Sequence, residues 1–177
     1  SKKYLFQPLR GLRWRGGHNM NQQYGTGVEG DVAVYIEFRN AKKNKLGIPL
    51  PAGTVRVYKQ DPDDEALEFV GEEAIDHTPK DEELSLRVGN AFDLVSERKQ
   101  TAFHVNRNAH RMTETIRIEL RNHKDEDVSI RVKEPMYRSK NWKITKQTHE
   151  RTKDDEDAFT AIWDIPVPAD GETVLEY

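Results

Sequence analysis

In the stretch AIDHTPKDEELSLRVGNAF, residues 74–92, Asp76 and His77 are adjacent, and Asp81, Glu82 and Glu83 follow closely. A carboxylate beside an imidazole can serve general acid–base chemistry or ligate a metal. On a strand, however, neighbouring side chains point to opposite faces, so the two would not meet at one reacting atom unless the backbone turns. Thr78-Pro79-Lys80-Asp81 is a good turn sequence, and a residue before proline is held extended. No third residue at a telling spacing completes a site, so a structural corner is the preferred reading. A hydrolase built on Asp76, His77 and distant acids is the competing one.

The remaining histidines, His18, His104, His110, His123 and His149, form neither H-x-H nor H-E-x-x-H, and read as solvated loop residues. The acids of DPDDE (61–65) lack the spacing, the glycine and the terminal bidentate glutamate of a calcium loop. Ser85, Ser96, Ser129 and Ser139 have no G-x-S-x-G surroundings, and no glycine-rich phosphate loop occurs. RGLRWRGGH (10–18) pairs arginines with Trp14 in the manner of nucleic-acid-binding segments. One short copy in an acidic chain instead reads as a segment whose Trp14 packs on a neighbour. Trp142 and Trp163 suggest a sugar-stacking platform, but Trp163 falls in phase with Phe159 and Ile165 and is expected in a core. No catalytic, cofactor or metal residues are assigned.

The elements that would hold these residues are strands. Val32, Val34, Ile36 and Phe38 alternate with polar or half-polar neighbours. The same period-two pattern marks Val55 and Val57, Leu84 to Val88, Ile116 to Leu120, Val128 to Val132, and Phe159 to Ile165. LVSERKQTAFHV (94–105) also reads as a strand. NAKKNKLG, PLPAG, DPDDE, RNHKDED and PADGE supply turns between them, and KQTHERTKDDEDA (146–158) reads as a charged loop. Gly89-Asn90 is expected to break the strand that begins near Leu84. Many short strands predict an all-β, antiparallel sandwich architecture in two parts: residues 1–107, and an immunoglobulin-like part, 108–177, with the boundary within 106–112. The expected core contains Val34, Ile36, Phe38, Leu86, Ile118, Leu120, Val128, Ile130, Val132 and Trp163.

The chain has 177 residues, a 35% hydrophobic content and 31 acids against 28 bases, for a formal charge of −3. That balance points to neither nucleic acid nor an anionic membrane surface. No apolar run approaches the roughly 18 residues of a spanning helix. Cysteine is absent, which excludes disulfides and thiolate zinc sites but assigns no compartment. The opening SKKYLFQPL lacks the apolar core of a signal peptide and is expected to be interior to a longer product.

Four stretches resemble a known family: YIEFRNAKKNKLGIPLPAGTVRVYKQD, GEEAIDHTPKDEELSLRVGNAFDLVSERKQT, IRIELRNHKDEDVSIRVKEP and WDIPVPADGETVLEY. Together they are similar to the C-terminal conserved part of the family called domain of unknown function 4139, which includes proteins similar to the mucoidy inhibitor A group. The likeness runs from about Gly30 to Tyr177. It implies a β-rich fold, a bacterial or archaeal origin and a periplasmic or extracytoplasmic location, since relatives often carry an export signal and a coiled coil upstream. It carries over no catalytic residues. The expected function is a non-catalytic binding or scaffolding module whose partner is another protein or the strand edge of another copy. A carbohydrate-binding module is the first alternative and a hydrolase near Asp76 and His77 the second.

Overall fold

The computed structural model describes residues 1–61, 65–152 and 158–177, with the backbone alone at 27–29. The protein is all-β. Among the described residues the strands are β1 (Lys2–Phe6), β2 (Gly27–Arg39), β3 (Gly53–Gln60), β4 (Leu67–Ile75), β5 (Glu83–Asn106), β6 (Arg111–Asn122), β7 (Val128–Pro135), β8 (Thr160–Val167) and β9 (Gly171–Glu176), and the one helical element is a 3-10 turn, Lys42–Asn44. Seven strands form one sheet in the order β8-β7-β1-β2-β5-β6-β9, and β3 and β4 form a separate two-stranded sheet.

The chain divides into two compact units, Ser1–Tyr4 with Ala33–Ala91, and Leu5–Val32 with Phe92–Tyr177. The stretch 106–112, read from sequence as a boundary, is a hairpin connection: Asn106 and Arg111 are paired across the β5–β6 ladder. A polar turn sequence marks a change of direction and does not distinguish a hairpin from a linker. The expected break at Gly89-Asn90 is likewise absent. Gly89 takes φ 147°, a value glycine tolerates, and β5 runs on through it.

In the first unit the chain turns around Asn40, which is fully buried. Its amide nitrogen donates to the Ile48 and Pro79 carbonyls at 2.7 and 2.9 Å, and its amide oxygen accepts the Gly47 N–H at 2.9 Å. Its backbone exchanges bonds with Glu82 and Asp81. One asparagine thereby satisfies three backbone groups that a tight corner leaves unpaired. Leu84, Leu86 and Val88 are buried as expected, whereas Ile36 and Phe38 are only half-buried. Alternation assigns a side chain to a face without saying how fully that face is covered.

The second unit holds the larger core. Ile116, Ile118, Leu120, Ile130, Val132, Trp163, Ile165 and Leu175 are buried, most of them completely. Burying each large apolar side chain is worth about 1.5–3 kcal/mol. The antiparallel β6–β9 and β7–β8 ladders place Ile118 opposite Leu175, and Ile130 and Val132 opposite Ile165 and Trp163. Edge strands β8 and β9 are joined by a tight turn, where Thr173 Oγ1 donates to the Pro166 carbonyl at 2.7 Å. Asn122 plays here the part of Asn40. Buried, it donates to the Glu126, Val167 and Pro168 carbonyls and accepts the Lys124 N–H.

Candidate functional site

Asp76 and His77 lie in the first unit, exposed, in the segment that leaves β4. His77 Nδ1 accepts the Ala52 N–H at 3.2 Å, and Thr78 Oγ1 donates to the Asp76 carbonyl at 2.9 Å. Leu50 and Thr78 exchange both backbone hydrogen bonds at 2.9 Å. An imidazole whose Nδ1 accepts a backbone N–H carries its own proton on Nε2. The ring nitrogen nearest the backbone is thereby committed to the corner. Among the described residues no group of three or more His, Asp or Glu side chains is arranged to hold a metal ion.

Trp14 stacks on Phe159 with centroids 5.6 Å apart and donates its indole N–H to the Gly17 carbonyl, leaving Arg10, Arg13 and Arg15 exposed. Trp163 is fully buried and stacks on Tyr177 at 4.9 Å. His104 and His123 are exposed, and His149 lies within hydrogen-bond distance of Thr148 Oγ1. Of the acidic stretch 61–65, positions 62–64 lie outside the described residues, as do 153–157 of the charged loop.

The second unit carries a groove of about 1300 Å³. Its walls come from the start of β6 and from the segment that follows β7, and include His110, Arg111, Met112, Met136, Trp142 and Lys143. Trp142 is fixed there by its indole N–H, which donates to the Ala158 carbonyl at 2.9 Å, and the Arg151 guanidinium lies 5.2 Å from its ring centre. Arg98, Tyr137, Arg138 and Tyr177 also line this groove.

Beneath it is a buried ion pair. Arg98 Nε lies 2.9 and 3.0 Å from the two oxygens of Glu134, and both side chains are almost wholly removed from solvent. Tyr177 donates its hydroxyl to Glu134 Oε2 at 2.7 Å, and Arg98 Nη1 donates to the Gly25 carbonyl at 2.8 Å. Burial pushes the Glu134 carboxyl up from the ordinary carboxylate range, against the opposing pull of Arg98 and Tyr177. Burial also pushes the Tyr177 phenol well up, and Glu134 adds to that. For Arg98 burial works against the charge, but the attraction of Glu134 outweighs it and the guanidinium stays protonated. Both carboxylate oxygens have partners, so this cluster holds strands together and offers no free base to a substrate.

Arg138, also buried, makes a second set of bonds. It donates to Glu114 at 2.9 Å and to the carbonyls of Asn19, Asn21 and Tyr24, with its guanidinium 5.0 Å from the Phe103 ring centre. Tyr137 adds a bond to the Tyr24 carbonyl at 2.9 Å. The segment 19–25 is thus tied to the residues that follow β7.

Sequence reading passed over Arg98, Glu134 and Arg138. A signal for the first two was present. Arg98 continues the inward series Leu94, Ser96, and Glu134 continues Val128, Ile130, Val132. Opposite charges in phase with two buried faces are a pair waiting to be matched. Arg138 follows the end of β7, beyond the reach of any periodicity.

No family model, curated protein or solved structure matches the chain.

Proposed function

We propose that this protein is a non-catalytic binding module of a bacterial or archaeal envelope or exported protein, within the family called domain of unknown function 4139. The observation that carries the binding reading is the groove of the second unit. It encloses about 1300 Å³ and its lining includes apolar and cationic residues, while the buried charges beneath it are satisfied internally. Family and location rest on the four stretches quoted above, including LPAGTVRVY and IDHTPKDEELSLRVGNAFD. The sandwich-like and immunoglobulin-like reading of 108–177 is supported by its two antiparallel ladders and by the buried Trp163. Carbohydrate binding is the second reading, favoured by Trp142 in the groove wall.

A screen by thermal shift and tryptophan fluorescence against peptides and oligosaccharides of either charge tests the binding reading. At least one class is expected to stabilise the wild type and to lose its effect in Trp142→Ala. A flat screen overturns it, as does a hydrolase activity that disappears in His77→Ala.

A further inference from the structure

Charge is distributed unevenly over this chain. Its formal balance is −3, yet the groove is lined by Arg98, Arg111, Arg138, Lys143 and Lys146 against the carboxylates Glu114 and Glu176. Arg98 and Arg138 are matched by Glu134 and Glu114. Glu176 stands opposite Arg117 in the β6–β9 ladder, but the Arg117 guanidinium is paired with Glu119, so Glu176 offsets part of the groove's positive charge. Arg111, Lys143 and Lys146 are exposed and make no ion pair among the described residues. A concave surface with an excess of one charge concentrates ligands of the other.

The cations do not stand alone. Arg111 is followed by the half-buried Met112, and Lys143 is flanked by the half-buried Trp142 and Ile144; Met20 and Met136 line the same groove. Methionine side chains adapt to varied apolar shapes. A nucleic acid would call for a track of cations with several aromatic faces for bases. Here Tyr137 and Tyr177 are engaged internally, with the Tyr24 carbonyl and with Glu134 and Trp163, which leaves Trp142 among methionines and suits the groove to aliphatic side chains.

We propose that the groove receives an extended peptide segment of a partner protein in which acidic and apolar side chains alternate, held by the cations Arg111, Lys143 and Lys146 and by the apolar residues Met112, Met136 and Trp142. Side chains of an extended segment project alternately to two sides, so acidic and apolar groups are offered in turn to walls that each set cations beside apolar residues. This rests on the binding-module reading and names the class of ligand for it.

The test is fluorescence anisotropy of a labelled peptide of alternating glutamate and leucine, with lysine–leucine and glutamate–serine peptides and an oligogalacturonate as further probes. The glutamate–leucine peptide is expected to bind the wild type best. Its affinity should fall on the order of tenfold or more in the double variant Lys143→Glu, Lys146→Glu, and by several-fold on raising the salt. Both lysines are exposed, so an unchanged melting temperature of the variant should accompany the loss. Equal binding of the lysine–leucine peptide, or an affinity indifferent to the charge reversal, overturns the proposal. If the oligogalacturonate binds in a Trp142-dependent way and the acidic peptide does not, the peptide assignment falls and the binding module stands. If no probe binds, both fall.

Discussion

The β3–β4 hairpin of the first unit and the β7–β8 ladder of the second are the same object on paper. Each is antiparallel, each pairs eight residues with eight, and the first strand of each sets valine or isoleucine in alternation with charge, as in Val55-Arg56-Val57 and Ile130-Arg131-Val132-Lys133, although the hairpin register shifts between Val57 and Tyr58. Their fates differ. In β7 and β8 the inward residues Val128, Ile130, Val132, Trp163, Ile165 and Val167 are all buried. In the hairpin Val55 and Val57 are half-buried, and Tyr58, Leu67, Phe69 and Val70 are exposed. Tyr58 and Phe69 still meet edge to face across the strands, with centroids 5.7 Å apart. Alternation fixes which side chains share a face; only the elements stacked against that face decide whether sharing it contributes stability.

The largest expected difference between the two ladders lies in their aromatic residues. Trp163→Ala should cost about 3–5 kcal/mol in urea unfolding, the range for a core tryptophan cut to alanine. Phe69→Ala, which empties a position already in solvent, should stay within about 1 kcal/mol. Equal losses would erase the contrast.

Next comes charge. Glu134→Ala leaves the Arg98 guanidinium buried without its counterion and should destabilise by about 3–5 kcal/mol. The double variant Arg98→Met, Glu134→Leu should recover part of that loss, because apolar groups of similar volume remove the desolvation cost along with the attraction, while the Tyr177 hydroxyl and the Gly25 carbonyl lose their partners. A double variant no better than Glu134→Ala would show that the pair is more than a matched buried couple.

The smallest effect sharpens the comparison furthest, because both ladders carry a cross-strand ion pair. Arg131 reaches both oxygens of Asp164 at 2.8 Å, whereas Arg56 reaches Glu72 with Nε alone at 3.0 Å. Both pairs are substantially exposed, so double-mutant cycles should return only about 0.2–1 kcal/mol. The two-bond geometry of Arg131 should place that pair at the upper end. A larger coupling in the hairpin would reverse the ranking.

The all-β class and most of the core were legible because alternation is a direct image of the pleat. Leu86, Ile118, Leu120, Ile130 and Trp163 are buried as that image predicts. Ile36 and Phe38 were not legible as half-covered, because cover is supplied by residues distant in sequence. The corner at Asp76 and His77 was legible as a turn, from the proline that follows. The groove was not. Lys143 and Lys146 belong to a run without period, and Arg111 opens a strand, so their convergence depends on tertiary structure alone.

Asn122 has a consequence for the lifetime of the protein. A single nitrogen atom there donates to the carbonyls of Glu126, Val167 and Pro168. Slow hydrolytic loss of that nitrogen would leave a carboxylate facing three electron-rich oxygens, turning attraction into repulsion at the join of four strands. Peptide mapping of aged, unfolded fractions should therefore find deamidation at this position enriched over the soluble pool, and an even distribution would acquit it.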